Sequence, residues 1–125
     1  MDILRDRLPP SGGVLHCYSE DADYARRVLA LDMNIYFSFA GNLTYRNARN
    51  LHETVGVLPL DRILIESEAP FMVPADFRGK RNKPEFLPST CAFLAEILEM
   101  DPETVSRAIF ENACRFFKLP VPVWS

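Results

Sequence analysis

Short apolar runs alternate with amphipathic stretches along the first half of the chain. The apolar runs cover residues 14–18, 35–39 and 63–65, and each is bounded by glycine, proline or polar residues, a pattern typical of buried strands. Helical spacing of apolar residues follows the first two runs, from Ala22 to Leu31 and across residues 46–55. This repeated order predicts parallel strands joined by right-handed crossovers, with helices covering the sheet.

Prolines set the boundaries of the second half. The third strand is expected to continue through Glu68 and to end at Pro70, because proline offers no N–H to a strand ladder. Prolines then interrupt residues 70–88, which predicts a long ordered loop, and loops of this length often carry function. A helix is expected around residues 93–98, and residues 120–125 are typical of an extended tail.

Two helix starts carry clear capping signals. Asp21 precedes the first helical stretch and is predicted to cap it with its carboxylate. Asp101 precedes a later stretch, in which Pro102 suits the first helical position because its missing N–H would be unpaired there in any case. The chain therefore ends its predicted core in a capped amphipathic helix.

Composition indicates one ordinary folded domain. The 125 residues carry a net charge of −3 and are 48% hydrophobic, which argues against a disordered or nucleic-acid-coating chain. We find neither a run of about 18 apolar residues nor a secretory signal pattern, so we expect a cytoplasmic protein without a membrane partner. Cys17, Cys91 and Cys114 form an odd set without C-x-x-C spacing, which predicts reduced thiols serving as apolar filler.

The fold class that follows is α/β, with parallel strands. A closed eight-stranded (β/α) barrel needs about 250 residues, so three strand-helix units supply less than half of one. Either the sheet stays open or another part completes it. We expect a lead-in over residues 1–13, a partial barrel over 14–117 and a tail over 118–125.

Candidate chemistry collects at the carboxyl ends of the predicted strands, where ligands bind in parallel α/β folds. His16 lies in the second half of the first strand; considered alone, it is more often a core residue than a ligand. Glu66 and Glu68 stand two apart, so on a strand both would project to one side. A metal site and a solvated strand end are equally good interpretations of this pair. His52 is predicted to be a surface residue.

The loop after the third strand concentrates positive charge. Residues 76–83 contain four cations and one acid, a local charge of +3, so the remainder of the chain sums to −6. Positive charge beside carboxylates suits a phosphate-bearing substrate held next to a metal. The alternative is an ordinary solvated run of charges.

Five motifs occur in a recognisable order. They are GVLHCYS at 13–19, IYFSFAG at 35–41 with Asn47-Ala48, LDRILIESEAPF at 60–71, RGKRNKP at 78–84 and ENA at 111–113. Together they resemble the C-terminal half of the TatD family of metal-dependent deoxyribonucleases, from about residue 13 to 117. The resemblance implies the sixth to eighth strand-helix units of a (β/α)₈ barrel that hydrolyses phosphodiester bonds in DNA with a divalent metal: Mg²⁺, Mn²⁺ or Zn²⁺.

The resemblance also assigns roles to individual residues. His16 matches the histidine of the family's G-V-L-H-C-F-S-G pattern and would bind the metal. Glu68 stands where the family's E-T-D-A-P-Y pattern has aspartate, which would bind metal and orient the attacking water, so Glu68 is the catalytic candidate. Its extra methylene moves the carboxylate by about 1.5 Å, enough to disturb that water. Arg81 and Asn82 of the R-G-K-R-N-x-P pattern are candidates for ordering the loop or contacting phosphate.

Other family ligands have no counterpart in this sequence. The family's H-x-H pair, its mid-barrel glutamate and its fifth-strand histidine belong to the half that the matched motifs do not cover, and His16 and Glu68 alone are too few for a catalytic metal centre. We therefore expect hydrolysis only when a complementing N-terminal half, or self-association, completes the barrel. The alternative is a catalytically inactive family fragment that acts as an oligomerisation or interaction module.

Overall fold

A three-stranded parallel sheet lies at the centre of the computed structural model, which describes residues 12–31 and 34–118. The strands lie in the order β1-β2-β3, so β2 is central and β1 and β3 are outer. The strands are β1 (Gly13–Leu15), β2 (Ile35–Phe39) and β3 (Ile63–Ile65). The helices are α1 (Ala22–Leu29), α2 (Arg49–Val57), α3 (Leu87–Leu98) and α4 (Pro102–Phe116), with short 3₁₀ turns at Gly41–Thr44, Leu60–Arg62, Ala75–Phe77 and Pro84–Phe86.

The central strand is buried on both faces. All five residues of β2 are buried, and four of the five are apolar, as expected for the central strand of a parallel sheet. Val14 pairs with Tyr36, and Phe37 pairs with Ile63, which fixes the register of the outer strands. This confirms the predicted α/β class with parallel strands.

The core is aromatic beneath the ends of the strands. Phe37 and Phe39 are fully buried, and the ring of Tyr18 packs against both, with centroids 5.4 and 5.7 Å away. Buried Leu43 and Leu94 belong to the same apolar cluster. Tyr18 lies in the segment that follows β1. Because its ring is packed in the core, this segment has little conformational freedom.

Both predicted caps are confirmed. The Asp21 carboxylate accepts a hydrogen bond from Tyr24 N at 2.9 Å, and that of Asp101 accepts one from Thr104 N at 3.1 Å. Pro102 opens α4, as predicted. Each cap satisfies a backbone N–H that the first helical turn would otherwise leave unpaired.

Three boundaries differ from those expected. Helix α2 begins at Arg49 rather than at residue 46, because Gly41–Thr44 forms a 3₁₀ turn first. Strand β3 ends at Ile65, three residues before Glu68. Helix α3 begins at Leu87, six residues earlier than predicted, since a proline fits the first helical turn.

Three expectations concern the chain as a whole. All three cysteines are free thiols, as predicted; Cys114 is buried, whereas Cys17 and Cys91 are half-buried. No helix within 12–31 and 34–118 is both long and apolar enough to cross a membrane. The predicted extended tail, residues 120–125, and most of the lead-in lie outside the described residues.

Asn112 ties α4 to the third strand. Its side chain is fully buried, and Nδ2 donates hydrogen bonds to the carbonyls of Leu60 at 2.8 Å and Ile63 at 2.7 Å. A buried amide with two backbone partners fixes the position of a helix, because a shift of the helix would leave the buried amide without hydrogen bonds.

Asn112→Leu keeps the side-chain volume but removes both donors. We expect it to lower the free energy of unfolding by about 2–4 kcal/mol, because the two hydrogen bonds that join α4 to the carbonyls of Leu60 and Ile63 are lost. Urea denaturation followed by circular dichroism measures the change. Asn50→Leu, at an exposed position of α2, is the matched control and should stay within about 0.5 kcal/mol of the original. Equal stability of the two variants would contradict the tethering role.

Candidate metal centre

Side chains from the ends of the two outer strands meet above the end of the central strand. His16 is the first residue after β1, and Glu66 is the first after β3. The backbone N–H of Glu66 still donates to Phe39 O at 2.8 Å, which holds this residue beside the end of β2. Parallel strands bring their carboxyl ends to one edge, so residues distant in sequence become neighbours there.

One imidazole and two carboxylates form the group that we call the imidazole–carboxylate cluster: His16, Glu66 and Glu68. Nδ1 of His16 lies 3.1 Å from Oε2 of Glu66, and Nε2 of His16 contacts Oε1 of Glu68. One ligand atom from each residue lies within 4.8 Å of the other two. The backbone N–H of Cys17 also donates to Oε2 of Glu66 at 3.0 Å. The structure thus brings His16 and Glu68 together and adds Glu66 to them.

Exposure increases across the cluster. The Glu66 side chain is 14% exposed, that of Glu68 28% and that of His16 69%. The interpretation of His16 as a core histidine is therefore wrong, because the strand ends one residue before it and releases its ring to the surface. The cluster combines a shielded carboxylate with an imidazole that solvent can reach.

The pKa values of the two carboxyl groups are shifted in opposite directions. Burial, reinforced by the neighbouring Glu68 carboxyl, raises the pKa of Glu66 above its usual range. A hydrogen bond with Glu66, helped by His16, lowers the pKa of Glu68. Two adjacent negative charges repel, so the two groups resist losing both of their protons and their pKa values move apart.

The donor set fits a divalent cation. Oε1 of Glu66 is buried and has no hydrogen-bond partner within the described chain, although buried carboxylate oxygens are normally paired. Carboxylate oxygens and an imidazole nitrogen suit Mn²⁺, Mg²⁺ and Zn²⁺, so His16, Glu66 and Glu68 together could hold such an ion. The sequence carried a signal for Glu66, since it directly follows a buried strand.

Left-handed backbone shapes the loops around the cluster. Cys17, Glu68 and Met72 have φ values of 46°, 55° and 54°, although none is glycine. The turn at Glu68 shows that the strand geometry expected for Glu66 and Glu68 is wrong; their carboxyl groups meet because the chain bends. The thiol of Cys17 lies 3.3 Å from the sulfur of Met72 and links the two loops. Strained residues of this kind concentrate at functional sites.

Asn82 anchors the basic loop on both sides of Glu68. Its side chain is buried, and Nδ2 donates to the carbonyls of Ser67 and Phe71. Its backbone N–H donates to Pro70 O at 3.2 Å. Of the two alternatives for this residue, these contacts favour loop ordering over phosphate contact. Arg81, in contrast, is exposed.

His52 is not a surface residue. It is half-buried, with Nε2 2.8 Å from Leu43 O and its ring 5.4 Å from that of Phe93. The amphipathic pattern missed this contact because the partner carbonyl lies in a 3₁₀ turn outside the helix. His52 therefore supports α2 rather than the cluster.

Comparison with known proteins identifies the family. The family model described as TatD related DNase matches residues 1–118. The Bacillus subtilis protein YabD, named an uncharacterized metal-dependent hydrolase, is 41% identical over 108 residues, which are 86% of this chain and 42% of YabD. Escherichia coli YcfH, named in the same way, is 35% identical over 94% of this chain and 44% of its own length. The chain thus spans about two fifths of the length of these relatives.

Comparison with solved structures supports the same family. The crystal structure of YJJV, a TatD homolog from Escherichia coli, superimposes with a TM-score of 0.82 at 28% identity, over 94% of this chain and 44% of that one. A TatD family hydrolase from Entamoeba histolytica shares the fold, with a TM-score of 0.71 at 17% identity. By sequence and by fold, this chain belongs to the family of TatD related DNases.

Proposed function

We propose that this chain supplies half of the metal centre of a hydrolase that cleaves phosphodiester bonds in DNA. The observation that carries the proposal is the imidazole–carboxylate cluster, with its buried and unpartnered Glu66 oxygen. The family description, TatD related DNase, and the names of the metal-dependent relatives support the metal and the substrate class.

His16 and Glu68 are the proposed metal ligands. Glu66 orients the imidazole through Nδ1 and offers Oε1 as a further donor. A divalent cation bound here supplies Lewis acidity and lowers the pKa of bound water. Glu68 is the proposed catalytic residue, whose carboxylate orients the attacking water. Its length, greater than that of the family's aspartate by one methylene of about 1.5 Å, slows the reaction but preserves binding.

The proposed architecture is units six to eight of a (β/α)₈ barrel. In the described chain, β1 and β3 each pair only with β2, so each presents an outer edge to further strands. An apolar cleft of about 530 Å³ opens between helices α3 and α4 and Ile65, the last residue of β3. A complementing N-terminal half, or a second copy, would cover these surfaces and bring further ligands.

The same cleft supports a second candidate function. An exposed apolar surface next to open strand edges is typical of an association site. In this alternative, the chain is an oligomerisation or interaction module without catalysis. The glutamate at position 68 would then replace the family's aspartate because no catalytic water has to be positioned.

The first test is metal binding by the chain alone. Isothermal titration with Mn²⁺ should detect binding, and His16→Ala or Glu68→Ala should weaken it at least about ten-fold, because each removes a proposed ligand. His52→Ala, which removes the other histidine, is the matched control and should bind like the original chain. Unchanged Mn²⁺ affinity in both ligand variants would overturn the metal site.

The second test is catalysis with a complementing half. We expect a mixture of this chain with the N-terminal part of YabD to nick plasmid DNA in Mn²⁺, whereas either part alone has at most weak activity. Glu68→Ala should lower the rate about 100-fold or more, and Glu68→Asp should raise it above the original by restoring the shorter carboxylate. A stable mixed complex that binds Mn²⁺ but shows no cleavage would favour the interaction module.

The third test concerns Asn82 as a loop-ordering residue. Asn82→Ala removes two buried hydrogen bonds, so we expect trypsin to cut the exposed sites in residues 78–83 about ten-fold faster. Asn47→Ala, at an exposed turn position, is the control and should leave the cleavage rate unchanged. An unaltered rate in Asn82→Ala, with weaker DNA binding, would instead support phosphate contact.

A further inference from the structure

Beyond the function above, we propose that the C-terminal segment of this chain, residues 119–125, folds back along α4 and fills the apolar cleft between α3 and α4. This segment, here called the C-terminal arm, lies outside the described residues, whereas the cleft and the end of α4 lie within them. Docking of the arm requires neither a metal nor DNA.

The cleft offers an apolar surface to the arm. It has a volume of about 530 Å³ and is lined mainly by apolar side chains, among them Ile65, Cys91, Ile109 and Ala113. Phe110 also lines it and is 50% exposed. An exposed apolar surface of this kind is typical of a site that another segment or another chain covers.

The end of α4 starts the arm beside the cleft. Lys118 has a left-handed φ of 57°, and its N–H donates to Arg115 O at 3.2 Å. Helices that end in this way commonly place the next side chain in apolar contact with the last turn of the helix. The next residue is Leu119, and Ala113 of that last turn lines the cleft.

The arm is long enough to follow the cleft. Prolines at positions 120 and 122 favour an extended chain, in which the six residues from Lys118 to Trp124 span about 19 Å. The twelve residues from Ser106 to Lys118 rise about 18 Å along the axis of α4. Trp124 therefore comes level with Ser106, where α4 still lines the cleft.

The chemistry of the arm matches that of the cleft. Apart from Ser125, its residues are leucine, valine, proline and tryptophan, and no side chain in it is charged. Docking removes apolar surface from water on both the arm and the cleft. The prolines lack an N–H, so the arm brings fewer backbone donors that need partners there. A buried indole N–H needs an acceptor, and Glu103 and Ser106 both line the cleft.

A docked arm competes with every partner that uses the same cleft. A complementing half or a second copy that covers the cleft has to displace the arm first. The apparent affinity of such a partner is then reduced by the fraction of molecules in which the cleft is open.

The first measurement is the fluorescence of Trp124, the single tryptophan of the sequence. We expect the full chain to emit at shorter wavelength than the urea-unfolded chain and to be quenched less by acrylamide, because the docked indole is shielded from water. Ala92→Arg puts a charge at an exposed position of α3 that lines the cleft, and it should shift the emission to that of the unfolded chain. Ala30→Arg, at an exposed position just after α1, is the matched control and should leave the emission unchanged.

The second measurement is a disulfide trap that leaves the cleft unaltered. Cys91 lines the cleft, and its thiol is hydrogen-bonded to Ser106, with which the end of the arm comes level. Val123→Cys should therefore form a disulfide with Cys91 on mild oxidation, at a rate that does not depend on protein concentration. Peptide mapping identifies the linked pair. Cys17 does not line the cleft and should stay unlinked.

Emission from Trp124 at the wavelength of the unfolded chain would overturn the proposal, and so would equal emission from Ala92→Arg and the original chain. A blue shift that grows with protein concentration would also overturn it, because the arm would then occupy the cleft of a second copy. If circular dichroism shows that Ala92→Arg unfolds the chain, the trap decides alone: linkage to Cys91 supports the docked arm, and its absence refutes it.

Discussion

The contact of one imidazole with two carboxyl groups, across the end of a buried strand, is the interaction on which this structure's chemistry depends. His16 and Glu66 come from strands that never pair with each other, since β2 lies between them. Their meeting therefore requires that both outer strands be in register with β2. The apolar packing of Phe37, Phe39 and Tyr18 secures that register, so the core and the cluster form one unit.

The cluster combines features that oppose each other energetically. Burial raises the pKa of Glu66 and so disfavours its charged form, while the neighbouring Glu66 and His16 side chains lower the pKa of Glu68. Holding two carboxyl groups this close is unfavourable unless a proton or a cation compensates. Glu68 itself, with Cys17 and Met72 in the adjoining loops, has a left-handed backbone, a further sign that the local structure is built around the site rather than for stability alone.

Much of this arrangement could be predicted from the sequence, and the reasons for the errors are physical. The strand order and both aspartate caps follow from local patterns that span a few residues. The start of α3 was missed because four prolines in residues 70–88 indicated a loop, whereas Pro88 fits a first helical turn. The bend at Glu68 was missed because no glycine marks it, and a glutamate with positive φ is unusual.

Some features of the site are local in sequence, whereas others depend on contacts between distant residues. His16 and Glu68 were recognised from motifs, but the position of Glu66 against His16 depends on a contact between residues 50 apart. Likewise, the buried state of Asn82 depends on carbonyls contributed by an earlier turn. Pattern reasoning can identify such residues, whereas only the fold shows which neighbours they have.

The order of the strands also affects how the molecule responds to a ligand. Any ion or molecule that joins the ends of β1 and β3 binds the native state and not the unfolded chain, because the joined groups are far apart in sequence. By mass action, such a ligand would stabilise the whole sheet rather than one loop. A melting curve measured with increasing ligand would therefore report on the cooperative unfolding of all three strands.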